Sequence, residues 1–256
     1  MKTNIYKNKK ETSKEAALQA ASILNKAIRQ KGTATFVIAT GVSQLDFIEH
    51  LITEGNVDWS KTRMFHLDEY IGLPETHPAS FKKYLQEKFI SKVDRIKEIN
   101  LINGDVADPQ KECDRLNQIL KNEIVDIAFV GIGENGHLAF NDPPANFEIE
   151  DPFIIVNLDN QCRKQQVGEG WFNSFEEVPR QAISMSIKQI MKSKNIICTI
   201  PGERKAQAVK DCLETDKISP VYPSSILKKH KNCFVFLDCD SAKYLSKISL
   251  KKIRSY

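Results

Sequence analysis

No run of 18 apolar residues occurs in this chain, which argues against a membrane-spanning helix. The opening residues, MKTNIYKNKKE, lack the apolar stretch of a secretory signal. No CxxC pair is present. The six cysteines (Cys113, Cys162, Cys198, Cys212, Cys233 and Cys239) are scattered, which argues against a zinc knuckle or a redox dithiol and suggests reduced thiols in a cytosol. A strong charge of one sign is also missing. The excess of 37 basic over 33 acidic residues is too small to indicate nucleic acid, although it would not repel an anionic small molecule. Basic clusters at Lys7, Lys9 and Lys10, and at Lys251, Lys252 and Arg254, read as solvated tails. Repeats, low-complexity tracts and linkers are lacking too, so residues 1–256 read as a single domain.

What is present is an alternation of short β-branched runs with longer helical patterns, the signature of a largely parallel sheet covered by helices. Thr12-Ser13-Lys14-Glu15 offers a capping box ahead of Ala17, Leu18, Ala21, Leu24, Ala27 and Ile28 at helical spacing, and Gly32 ends that helix. Strands are expected at 35–40, 63–67, 99–102, 124–132, 153–158, 195–200 and 234–237. Helices are expected at 43–54, 80–90, 109–120 and about 204–213.

Ligands of such sheets bind beyond the carboxyl ends of the strands, and four of those ends carry notable residues. Thr40-Gly41-Val42-Ser43 offers backbone amides at a helix start, a place that favours phosphate; singly it also reads as a tight turn with Ser43 as cap. Asp68-Glu69 places two carboxylates at the end of an apolar strand, where one is positioned to move protons or to cap the next turn. The third end, Gly131-Ile132-Gly133-Glu134-Asn135-Gly136-His137, formally matches a dinucleotide fingerprint, but Pro143-Pro144 ends any helix almost at once. Its more informative feature is a histidine flanked by Asn135 and Asp142, an arrangement that suits His137 to acid–base work near neutrality. Lys205, in Pro201-Gly202-Glu203-Arg204-Lys205, stands where a point charge meets a phosphate, or simply on the surface.

Taken in order, these segments resemble the glucosamine-6-phosphate deaminase/isomerase family over about residues 33–237. The strongest pieces are Asp68-Glu69-Tyr70 with Gly72-Leu73-Pro74, Gly136-His137 with Ala139-Phe140-Asn141, and Tyr222-Pro223-Ser224-Ser225. The resemblance implies a Rossmann-like α/β three-layer sandwich without a nucleotide. The implied reaction turns an amino-sugar phosphate, foremost glucosamine 6-phosphate, and water into fructose 6-phosphate and ammonia. It further implies that Thr40, Gly41, Val42, Ser43 and Lys205 hold the phosphate. His137, supported by Asn135 and Asp142, assists ring opening, and Asp68 moves a proton between C2 and C1. No metal or organic cofactor is implied, because the imine or ammonium is the electron sink. The expected partner is a small sugar phosphate, with no nucleic acid or membrane; the family includes monomers and hexamers, so a homo-oligomer is left open.

The chain departs from the family pattern at several places. Asn135 stands where many relatives have Asp, and Asp142 where Glu is usual, shortening the reach by about 1–1.5 Å. Gly41-Val42-Ser43 replaces Gly-Gly-Thr. The phosphate-binding arginine that relatives carry just after the Cys162-Arg163 segment is missing, with Arg163 or Lys164 as the nearest substitutes. Ile154 and Val156 replace the basic residues of allosterically activated relatives, so no activation of that kind is expected. Two rival readings remain at this stage. One is a 6-phosphogluconolactonase, which shares the fold but carries Asp-Glu-Arg in place of Asp68-Glu69-Tyr70. The other is a sugar-phosphate-binding protein whose altered relay no longer turns over.

Overall fold

The computed structural model describes residues 1–214, 216–247 and 254–255. Lys251 and Lys252 of the basic C-terminal cluster lie outside them. Among the described residues the strands are β1 (Lys2–Tyr6), β2 (Ala34–Ile38), β3 (Thr62–His66), β4 (Asp68–Tyr70), β5 (Glu98–Asn100), β6 (Ile127–Val130), β7 (Phe153–Asn157), β8 (Gln181–Met185), β9 (Ile196–Ile200), β10 (Cys233–Asp238) and β11 (Arg254–Ser255). The helices are α1 (Lys9–Lys31), α2 (Leu45–Glu54), α3 (Phe81–Lys88), α4 (Pro109–Leu120), α5 (Asn160–Gly168), α6 (Ile187–Met191) and α7 (Ala206–Val209). No described helix is long and apolar enough to cross a membrane.

Eight strands form one parallel sheet in the order β11-β1-β10-β9-β6-β2-β3-β5. Every residue of β2, β6 and β9 is buried, because helices cover both faces; this is why these strands read as unbroken apolar runs. Successive side chains face opposite ways along a strand. Phe36 and Ile38 accordingly pack with Ala17, Leu24 and Phe47 of α1 and α2, while Val37 packs with Leu116 of α4 and Ile187 of α6 on the other face. The result is the helix-covered parallel sheet that the alternation predicted, in the Rossmann-like three-layer α/β form that the resemblance implied.

A second sheet, β4-β8-β7, is antiparallel and was not foreseen. Its first strand is only three residues long and begins with two acids, a poor strand signal. The N-terminus also differs from expectation. Lys2–Tyr6 is a strand paired with β10 and β11 rather than a solvated tail, although Lys7 and Lys10 do face solvent. Helix α1 is capped four residues before the expected Thr12. Asn8 caps it by accepting from the Glu11 amide at 3.0 Å, and Glu11 accepts in return from Asn8 Nδ2. Thr12 is instead buried, donating to the carbonyls of Asn8 and Leu237.

From β2 the chain runs outward through β3 to β5, then returns to β6 on the opposite side of β2. The loops after β2 and β6 therefore diverge, which opens a crevice at the carboxyl ends of the strands.

Candidate active site

Two loops flanking that crevice share one local design. Gly41 follows β2 and Gly202 follows β9, with φ of 102° and 95°, a region that glycine enters without the Cβ penalty. Each glycine turns the chain into one 3₁₀ turn, Val42–Gln44 or Glu203–Lys205, which feeds a helix. Gln44, at the end of the first turn, donates through Nε2 to Ser43 Oγ and to the Thr199 carbonyl, both at 3.2 Å, so the two loops are tied across the sheet. Lys205, at the end of the second, is only 8% exposed. Burial lowers its pKa, opposed by the nearby charges of Glu169 and Glu134. Among the described residues Lys205 Nζ has no hydrogen bond or salt bridge. Its neighbour Arg204 pairs with Glu134 at 2.7 Å.

The acidic tip forms where the chain leaves one sheet for the other. The Leu67 amide still donates to Ile38 of the parallel sheet, while its carbonyl already accepts from Met185 of the antiparallel one. The two carboxylates that follow have different fates. Glu69 accepts from the amides of Tyr70, Phe81 and Lys82 and from Ser80 Oγ at 2.8–3.2 Å, closing the start of α3. Asp68 has no comparable set of donors. Burial first, and then the charges of Glu69 and Asp142, push its carboxyl up to about 8 against one opposing amide, that of Phe140.

The imidazole is held by a closed network. His137 Nδ1 lies 3.0 Å from Asp142 Oδ1, which also accepts from Asn135 Nδ2 at 2.8 Å. Asn135 Oδ1 accepts from the His137 amide, and its Nδ2 also reaches Asp159 Oδ2 at 2.9 Å. Asp142 Oδ2 accepts from the Asp159 amide. Burial alone would raise Asp142, but the hydrogen bond and charge of His137, with Asn135 and the Asp159 amide, hold it below its ordinary value. A carboxylate at Nδ1 makes that nitrogen the donor, so Nε2 is left as the nitrogen for ligand chemistry. Gly133 is required beneath the ring, since a Cβ there would meet its atoms at 2.2–2.4 Å.

One cleft gathers Thr40, Gly41, Ser43, Asp68, His137 and Lys205. It encloses about 580 Å³, counting its open mouth. Asn135 and Asp142 stand behind His137 and act on the cleft through it. Two expected phosphate contacts do not reach this cleft. Val42 is 40% exposed and is not part of its lining. Arg163 is buried elsewhere, donating to the carbonyls of Val178 and Phe175 at 2.8–3.2 Å with its guanidinium over the Phe175 ring. It pins the segment after α5 and does not line the cleft. Conversely, Gln44, Gln165, Gln166 and Glu169 line the cleft without having been assigned a role from the sequence, where Gln165, Gln166 and Glu169 stood only in a stretch whose departure from the family pattern left the sugar open between glucosamine 6-phosphate and galactosamine 6-phosphate. Polar residues on a short helix carry no periodic signal, and only their nearness to the motif-bearing loops marks them.

All six cysteines are free. One group of potential metal ligands occurs among the described residues: donor atoms of His137, Asp142 and Cys162 lie within 4.8 Å of one another. His137 and Asp142 already share a hydrogen bond, so this group is the imidazole relay with a thiol beside it.

Comparison with known proteins agrees with this geometry. The family model described as "Glucosamine-6-phosphate isomerases/6-phosphogluconolactonase" matches residues 7–236. A glucosamine-6-phosphate deaminase of Clostridium acetobutylicum is 38% identical over 232 residues, covering 88% of this chain and 94% of that protein. A solved structure of a monomeric glucosamine-6-phosphate deaminase superposes with a TM-score of 0.85 at 30% identity, over 95% of this chain and 99% of that one. A 6-phosphogluconolactonase of Trypanosoma brucei superposes with a TM-score of 0.77 at 15% identity, over 96% of this chain and 98% of that one, a likeness of fold alone. This chain belongs to the glucosamine-6-phosphate isomerase/6-phosphogluconolactonase family.

Proposed function

We infer that the chain is an enzyme of amino-sugar metabolism, a glucosamine-6-phosphate deaminase converting glucosamine 6-phosphate and water to fructose 6-phosphate and ammonia. The observation that carries this reading is the lining of one cleft: a buried, unpaired lysine together with a proton-transfer pair. A cation taken out of water without a partner is costly unless a ligand supplies the anion. The deaminases among its relatives, at 33–38% identity over most of the chain, support the same reaction.

The chemistry follows from the two groups. His137 shuttles the proton of the C1 hydroxyl to the ring oxygen, breaking the C1–O5 bond to give the open aldehyde; Asp142 stabilises the imidazolium in passing. Asp68 as carboxylate removes the proton on C2, the electron pair forms a C1–C2 double bond, and the aldehyde oxygen takes a proton from the neighbouring ammonium, giving an enol with a neutral amine on C2. The carboxyl then returns that proton to C1, leaving an iminium at C2. Water adds to C2, the C–N bond breaks, and ammonia leaves fructose 6-phosphate behind. A carboxyl titrating near 8 suits this exchange, because it is a stronger base than an ordinary aspartate and readily gives its proton back.

The test is ammonia release, coupled to a reporter enzyme, over a panel of hexosamine 6-phosphates. Release from glucosamine 6-phosphate or its C4 epimer supports the reading, and the faster of the two identifies the preferred sugar. Rapid hydrolysis of 6-phosphogluconolactone without ammonia release from any of them would replace it.

A further inference from the structure

A carboxylate stands at the anion end of the cleft, and the reaction above gives it no task. Glu169, just past α5, lines the cleft with Thr40, Gly41, Ser43 and Lys205. It is firmly braced. Oε1 accepts from Gln165 Nε2 at 2.7 Å and Oε2 from Trp171 Nε1 at 3.3 Å. Gln165 accepts in turn from the Glu134 amide, beside the imidazole loop. Trp171 packs edge-on against Tyr84, whose hydroxyl donates to the Gly41 carbonyl. The side chain is thus fixed from both walls of the cleft, and each oxygen keeps a lone pair for another donor.

A fixed anion there supports the charge of Lys205 but also repels phosphate directly, because like charges in a partly dry cleft repel. A neighbouring hydroxyl on the ligand reverses that balance, since a charge-assisted hydrogen bond to carboxylate is among the stronger ones. Building on the sugar-phosphate reading, we propose that Glu169 is a specificity-determining residue. It accepts hydrogen bonds from the sugar hydroxyls nearest the phosphate, that on C4 and, once the ring is open, that on C5, and turns away anions that lack them. The proposal differs from a bracing role in one respect: removing the charge should help one ligand and hurt the other.

Inorganic phosphate is titrated calorimetrically into the wild-type protein and Glu169→Gln, and the kinetics of glucosamine 6-phosphate are measured on both. The variant is expected to bind phosphate about threefold or more tightly, while KM for the sugar phosphate rises about tenfold and kcat stays within about threefold. Unchanged or weaker phosphate binding in the variant, or an unchanged KM, overturns the proposal. Should Glu169→Gln fail to fold, Glu169→Asp keeps the charge but draws it back; wild-type phosphate affinity with a raised KM is then expected, and a wild-type KM overturns the proposal. A wild-type protein that binds phosphate but releases no ammonia defeats the assigned reaction instead, and the phosphate comparison still decides the role of Glu169.

Discussion

The two ends of the cleft are built on opposite electrostatic plans. At the reacting end every charged group but one is bonded: Glu69 by four donors, and Asp142 by the His137 ring, Asn135 and a backbone amide. The exception is Asp68, whose carboxyl is left to burial and like charge. At the anion end the exception is a cation, Lys205, while Arg204 is paired with Glu134 and Arg163 is spent on carbonyls. Each end therefore contributes one incompletely satisfied group, and on the proposed chemistry the ligand completes both. Perturbed groups of this kind mark working sites because the fold bears a cost that only the reaction or the ligand repays.

The contrast can be broken at either end. Among the groups around the two unsatisfied ones, the largest effect is expected from Asp142→Asn, which removes the carboxylate charge that supports the His137 imidazolium. Ammonia release should fall by roughly 10²–10⁴-fold with KM little changed; steady-state kinetics decide it, and a wild-type kcat would remove the relay from the mechanism. Next comes Glu69→Gln, where an amide nitrogen must face donors that now find a carboxylate oxygen. Thermal or urea unfolding should report a loss of roughly 2–3 kcal/mol, with kinetics near normal in the protein that remains folded. A kinetic defect without a stability loss would mean that the two adjacent acids share the chemistry. The smallest is Lys205→Ala, which should raise KM by roughly 1–3 kcal/mol, or about fivefold to somewhat over a hundredfold, with kcat nearly kept. Arg163→Ala is its control: it loosens the segment after α5, so it should lower stability and raise KM less than Lys205→Ala does. A reversal of those two results would restore Arg163 to the phosphate.

Much of this was legible in the sequence, and the residues show why. Helix α4 is found at its expected bounds because Asp108, Pro109 and the 3.6-residue apolar period all agree. The acidic tip and the Gly-His loop were legible because charged and glycine-rich residues directly after apolar strands conflict with burial unless they serve a site. The antiparallel sheet was not, since β4 contains Asp68 and Glu69, and its strand character comes from pairing with β8 rather than from propensity. The fate of Arg163 was also hidden. Whether an arginine meets a phosphate or three backbone carbonyl contacts depends on how residues 172–180 fold back over α5, a long-range matter that local pattern does not encode. Glu169 and Gln165 share that difficulty, for they reach the cleft only because α5 is anchored at its start by Asp159, which caps it and touches the relay through Asn135.

The most direct test of the account is Asp68→Asn, examined for turnover, phosphate affinity and stability together. A carboxyl whose folded pKa lies above its unfolded value takes up a proton on folding. Its contribution is therefore most favourable below the unfolded pKa, near 3.8, and is lost as pH rises toward about 8. Replacing it with a neutral amide should stabilise the protein at pH 7 by on the order of 2–4 kcal/mol. The same change should abolish ammonia release and leave phosphate affinity within about tenfold. A variant that is less stable than wild type and still releases ammonia would contradict the assignment of Asp68 as the strained base on which the proposed chemistry depends.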